Sequence, residues 1–240
     1  MMVGATPEVE RSAMLSEDDV KRRASHVRTK KRVSDHGEVL TGQREVTAML
    51  DLVRQETERI DSRFLEPACG TGNFLTLVLA RKLAIVERRY GKSQLDFERN
   101  AVLAICSIYG IDILPDNVRD CRQRLFAVFE ANYTRLFKAN GKDKCREAVH
   151  FILERNIICG DALTLRTAEE EADPIVFSEW SSINGSMLKR RDFTFRGLLE
   201  HEGRKELPLF SDLGEDVFIP TPEREYAPVH FLELASARQQ

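Results

Sequence analysis

The chain has no Cys-x-x-Cys pair, no two adjacent prolines, a single tryptophan and no apolar run long enough to cross a bilayer. Each absence removes a class of answer. Five cysteines (Cys69, Cys106, Cys121, Cys145 and Cys159) are odd in number and scattered, so they point to neither a disulfide framework nor a zinc site, and most read as small core residues. The most apolar stretch, residues 74–86, is interrupted by Arg81 and Lys82, and residues 1–12 carry no apolar signal core. A cytoplasmic protein is expected. With 13 glycines and 8 prolines in 240 residues, 42% hydrophobic and 31% charged, the composition excludes collagen-like, low-complexity and wholly disordered chains. A chain of this length buries roughly 70 to 75% of its unfolded surface, enough for one sizeable core.

The formal charge of −3 hides a gradient: residues 1–32 carry +3, residues 33–160 carry +1 and residues 161–240 carry −7. Residues 1–36 lack a sustained apolar period and hold Lys21, Arg22, Arg23, Arg28, Lys30, Lys31 and Arg32 without an intervening acid. They read as a basic arm, either a solvated terminus or a contact to DNA phosphates, and salt-dependent binding separates the two.

Residues 44–60 place Val46, Met49, Leu50, Val53 and Ile60 at helical spacing. A short strand over residues 63–66 then runs into a glycine-bearing loop and a strongly helical stretch over residues 73–90. A helix over residues 96–106 leads to a strand at 108–112, and Pro115 opens a helix that Gly141 is expected to break. A further helix over 145–153 precedes a strand at 156–159. Three alternations of strand and helix predict an α/β fold with a mostly parallel sheet and helices on both faces. Residues 166–240 form an irregular, acidic region in which the pattern degrades, with prolines at 208, 220, 222 and 228.

In an open parallel sheet, ligands bind outside the carboxyl ends of the strands, and the three predicted strands end at Glu66, Asp112 and Asp161. Gly70 and Gly72 let the backbone pass close to a ligand. A nicotinamide dinucleotide would need a third glycine where Leu75 stands and an acid about 20 residues on, but Asp112 lies 40 residues beyond Gly72. No lysine follows the glycines as a phosphate-binding loop for ATP requires.

The segment Glu66-Pro67-Ala68-Cys69-Gly70-Thr71-Gly72-Asn73-Phe74-Leu75 resembles the glycine-rich first motif of S-adenosylmethionine-dependent DNA adenine-N6 methyltransferases, particularly the methylation subunits of restriction–modification systems. His36-Gly37-Glu38-Val39-Leu40-Thr41-Gly42 is similar to the Gly-Glu-Phe-Phe-Thr-Pro segment that precedes it in that family, with Gly42 in place of proline. The resemblance spans residues 37–165. It implies a Rossmann-like class I methyltransferase fold, either whole or incomplete in its second half, that takes S-adenosyl-L-methionine as cofactor. It further implies that Thr41, Glu66, Ala68, Cys69, Gly70 and Gly72 surround the methionine part, that Asp112 receives the ribose hydroxyls beside Ile113 under the adenine, and that Asp161 with Ala162 receives the adenine amino group.

The family's Asn/Asp/Ser-Pro-Pro-aromatic motif, which stacks the flipped adenine and takes its protons, is absent. Asp173-Pro174 is the nearest local sequence, so no catalytic residue is assigned. The 79 residues after Asp161 are too few for the rest of the sheet and a base-reading domain. A protein partner supplying the catalytic motif or target recognition is therefore expected. The alternative reading is a catalytically inactive cofactor-binding subunit, or half of a split methylase. Lys189-Arg190-Arg191 reads as a solvated cluster or a DNA contact, Trp180 as packing or a base stack, and His36 as a turn residue.

Overall fold

The computed structural model describes residues 42–169, 171–205 and 221–239; the basic arm, Thr41 and most of residues 36–42 lie outside the described residues. Helix α1 (Gln43–Leu52) buries Val46 and Leu50, one turn apart. It stops at Val53 (φ −113°), and only a single turn, α2 (Arg54–Thr57), follows. The single helix expected over 44–60 is thus broken at the exposed Leu52 and Val53, and in the turn that follows Thr57 is fully buried, its hydroxyl donating to the Arg54 carbonyl at 2.9 Å.

Strand β1 (Phe64–Glu66) leads to α3 (Asn73–Tyr90), whose Leu75, Val78, Leu79, Leu83 and Val86 are fully buried at three- and four-residue spacing. Helix α4 (Gln94–Cys106) is capped by Ser93, whose hydroxyl accepts from the Asp96 N–H at 3.3 Å. Strand β2 (Ile108–Asp112) is followed by α5 (Pro115–Phe137), with Pro115 in its first turn. This helix ends where Lys138 takes a φ of 49°, three residues ahead of Gly141, which is extended at φ −60°. Helix α6 (Asp143–Asn156) and strand β3 (Ile157–Asp161) complete the third alternation.

β1, β2 and β3 are parallel neighbours in that order, and the two-residue β4 (Arg166–Thr167) lies antiparallel on the outside of β3. A second sheet is antiparallel: β5 (Val176–Ser182) pairs with β6 (Met187–Thr194), which also pairs with β7 (Arg224–Glu225) and β8 (Val229–His230). Helix α7 (Phe195–Lys205) follows β6 directly. Alternation along β2 separates the two cores. Ile108 joins the large cluster made with α3 to α6, whereas Tyr109 and Ile111 pack with Ile175, Phe177 and Phe195. The fold is α/β, with parallel strands inside a mixed arrangement. No helix among the described residues is long and apolar enough to cross a membrane.

The tail described above as irregular contains this hairpin. Trp180 is buried, its indole N–H donates to Asn156 Oδ1 at 3.1 Å, and Asn156 Nδ2 in turn donates to the Cys106 and Ile108 carbonyls, so the ring joins the hairpin to α6 and β2. The basic triplet on β6 is paired within the protein: Lys189 with Glu225, Arg190 with Asp192 and Arg191 with Glu179.

Lys82, on α3, is fully buried, and its ammonium donates to the Arg59, Ile60 and Ser62 carbonyls and to the Ser107 hydroxyl. The segment leading into β1 is thereby tied to α3 and to the end of α4. Burial pulls the Lys82 pKa down to about 8. Between that value and the ordinary lysine value of about 10.4, the unfolded chain binds more protons here than the folded one, so this group makes stability rise with pH. The unfolding free energy of the parent, measured in urea against that of Lys82→Met, is expected to gain up to about 1.4 kcal/mol per pH unit in that window. A constant difference would show that Lys82 keeps its ordinary pKa.

Candidate functional site

The sheet register sets the acids in a staircase. Glu66 is level with Gly110, Asp112 is level with Cys159, and Asp161 lies two residues beyond Cys159. Each step is two residues, about 7 Å. Because side chains alternate along a strand and level residues of parallel neighbours share a face, all three acids have the same parity. On that face Cys69 and Leu75 fill the space beside Gly110: a Cβ there would stand 3.0 Å from Cys69 Sγ and from Leu75 Cδ1.

The loop between β1 and α3 is pinned at successive residues. Cys69 N–H donates to the Ile111 carbonyl at 2.8 Å, Gly70 N–H to Asp112 Oδ2 at 2.8 Å, and Gly72 N–H to the Cys69 carbonyl at 2.8 Å. Arg124 of α5 closes over it, with Nη1 donating to the Thr71 carbonyl at 2.7 Å, Thr71 Oγ1 at 2.9 Å and Asn73 Oδ1 at 2.8 Å. Among the described residues, no group accepts from the Thr71 N–H.

The two glycines have different reasons to be glycine. Both are left-handed, at φ 52° for Gly70 and 83° for Gly72. A Cβ on Gly70 would meet nothing within 4 Å, whereas one on Gly72 would lie 2.7 Å from Cys121 Sγ. Gly70 therefore faces open space where a ligand can approach, and Gly72 packs against α5. Gly72→Ala is expected to cost about 2 to 4 kcal/mol, combining left-handed strain with overpacking, and Gly70→Ala only about 1 to 2 kcal/mol. Urea unfolding measures both, and Cys121→Ala should recover part of the Gly72→Ala loss. Equal costs at the two positions would contradict this division.

Asp112 accepts three bonds from the chain itself: Gly70 N–H on Oδ2, and Leu114 N–H at 2.9 Å and Asn117 Nδ2 at 3.2 Å on Oδ1. Asp161 Oδ1 accepts from Leu163 N–H at 2.8 Å within its own turn. Burial raises the Glu66 pKa, against the lowering effect of the Ala68 N–H it accepts. The hydrogen bond with Cys121, then burial, push the Cys69 thiol far up, so it stays protonated and is no nucleophile. Ile113 is 53% exposed and Leu163 94% exposed, which leaves apolar surface on either side of the two aspartates; Ala162 is half-buried and Ala68 exposed.

Nine of the ten cofactor contacts expected from sequence therefore lie on the carboxyl ends of β1 to β3 or in the turns that follow them, and Thr41 lies outside the described residues. Gly70 and Asp112 are in direct contact; Asp161 is two residues further along the neighbouring strand. Two cavities among the described residues have other linings. One of about 550 Å³, with Arg59, Arg63, Asn100, Ser107 and Glu179 on its walls, lies at the opposite end of the strands. A second, of about 260 Å³, runs between α3 and α5 from Asn73 and Arg124 to Ala80 and Val128. The sequence reading missed Arg124, an exposed arginine on a helix 53 residues from its partner Thr71, because nothing local marks it. No family model, no curated protein and no solved structure matches this chain.

Proposed function

We propose that the chain binds S-adenosyl-L-methionine across the carboxyl ends of β1, β2 and β3 and acts as the cofactor-holding component of an adenine-N6-type DNA methyltransferase. The observation that carries this reading is the acid staircase beside a loop whose Gly70 faces open space and whose Thr71 N–H has no acceptor among the described residues. A carboxylate offers about four lone-pair sites, and Asp112 fills three with its own chain. It takes one ribose hydroxyl directly and a second when Gly70 N–H gives up its bond. Exposed Ile113 offers the adenine an apolar face, Asp161 an acceptor for its amino group, and Glu66 and the loop hold the amino-acid end.

When bound, the cofactor supplies an electrophilic methyl group, transferred in line to an adenine nitrogen as the electron pair of the broken bond returns to sulfur. The nitrogen must then lose a proton, and this chain has no Pro-Pro-aromatic element to hold the base and receive it. Asp173 is exposed, stands ahead of β5 rather than at a strand end, and is tied to Thr167 by two backbone-mediated bonds. The acceptor is therefore assigned to a partner chain. The unpartnered side of β1 favours the split-enzyme version over a self-sufficient enzyme: among the described residues β1 pairs with β2 alone, where a doubly wound sheet would continue.

Calorimetry with S-adenosylmethionine is expected to show one site per chain. Transfer of labelled methyl groups to adenine-rich DNA is expected only when the product of a neighbouring gene is added. Transfer by the chain alone would overturn the split reading, and no binding heat would overturn the cofactor reading. The basic residues 21–32 are assigned to DNA, with affinity falling as salt rises.

A further inference from the structure

Arg124 has a place in the site that its sequence position does not announce. Its guanidinium bridges α5 to three acceptors on Thr71 and Asn73, the residues on either side of Gly72. Asp112 holds the same loop from the strand side through Gly70 until the ribose takes that carboxylate, so the open Thr71 N–H sits between two clamps of which Arg124 is the one that stays closed when the cofactor is bound. One clamp is an acid that the cofactor reading assigns to the ribose; the other is a cation on the far side of the loop. A main-chain donor binds a carboxylate well only when its direction is fixed beforehand, because ordering the loop during binding would cost affinity. Gly70 and Gly72 are both left-handed and carry no side chain, so on the α5 side the loop is held by the packing of Gly72 and Cys69 on Cys121 and by the hydrogen bonds from Arg124.

We propose that Arg124 is a positioning residue that sets affinity for the amino-acid end of the cofactor by holding Thr71 and its N–H in the receiving geometry. This rests on the cofactor reading above. The adenosine end, held by Asp112, Ile113 and Asp161, does not depend on Arg124. A general loss of fold would weaken both ends alike, and this gives the proposal a signature of its own.

The test compares two probes, S-adenosylmethionine and 5′-methylthioadenosine, which share the adenosine but differ in the amino-acid chain. Each is titrated into the full chain, into Arg124→Gln and into Arg124→Lys, with melting temperatures recorded for all three. Arg124→Gln is expected to bind S-adenosylmethionine about tenfold more weakly and 5′-methylthioadenosine within about twofold of the parent. Arg124→Lys is expected to recover part of the loss, since a lysine supplies the charge without the planar fork. Equal weakening of both probes, or none for either, overturns this inference while leaving the cofactor reading standing. A parent chain that binds neither probe overturns both.

Discussion

Asp112→Ala is expected to weaken S-adenosylmethionine binding by about 100- to 1000-fold while leaving the protein folded. The substitution removes both the charged acceptor assigned to the ribose hydroxyls and the anchor of Gly70 N–H. Hydrogen bonds to a charged group contribute about 1.5 to 3 kcal/mol each, and losing two of them gives a change of that order. The same carboxylate also accepts from Leu114 N–H and Asn117 Nδ2, so the turn leading into α5 loosens as well. Asp112→Asn should fall between parent and Asp112→Ala, because its amide oxygen still accepts from Gly70 N–H. Titration calorimetry on the three proteins checks this. Unchanged affinity in Asp112→Ala would remove the carboxyl end of β2 from any cofactor site.

The second large effect concerns stability. Glu98 is fully buried on α4 and accepts from the Tyr133 hydroxyl of α5, from Lys142 Nζ at 2.8 Å and from Gln94 Nε2 at 2.8 Å. The Tyr133 hydroxyl in turn accepts from Lys142 N–H at 2.8 Å. One carboxylate thus joins α4 and α5 to the turn that opens α6. Burial, with the hydrogen bond to Glu98 second, raises the Tyr133 pKa, so the phenol stays a donor across the physiological range. Glu98→Ala leaves that buried hydroxyl and the Lys142 ammonium without their acceptor and opens a void. The expected loss is about 3 to 4 kcal/mol, or a melting temperature lower by about 10 °C. Glu98→Gln should cost clearly less, since it keeps an acceptor oxygen. A loss below about 1 kcal/mol in Glu98→Ala would show that the network does not hold these helices together.

Local signals made the first half of the chain legible. Buried residues three and four apart specify α3, Pro115 opens α5, and β-branched runs ending in an acid locate β2 and β3, so the strand ends that build the site are readable. Contacts made between distant residues were not. Arg124 meets its loop only after α5 packs on α3, and Glu98 finds Tyr133 only across two helices. The β5–β6 hairpin was obscured because its strands carry Glu179, Lys189, Arg190, Arg191 and Asp192, which break the apolar alternation and look like a solvated surface. In the folded protein these charges pair with one another and with Glu225 and Arg63. Asn184-Gly185 at the tip, with Gly185 left-handed at φ 57°, was the turn signal available. The break at Val53 depends on what fails to cover Leu52, which no local pattern states.

Amide chemical-shift mapping during titration with S-adenosylmethionine tests the central claim most directly, since it reports both whether the cofactor binds and where. The account predicts saturable shifts at Gly70, Thr71, Asp112, Ile113 and Asp161, strongest at Thr71 and Gly70, whose amides receive the ligand or give up Asp112 to it. Saturable shifts confined to Arg63, Asn100, Ser107 and Glu179, around the cavity at the other end of the strands, would contradict it, as would no shift at any concentration.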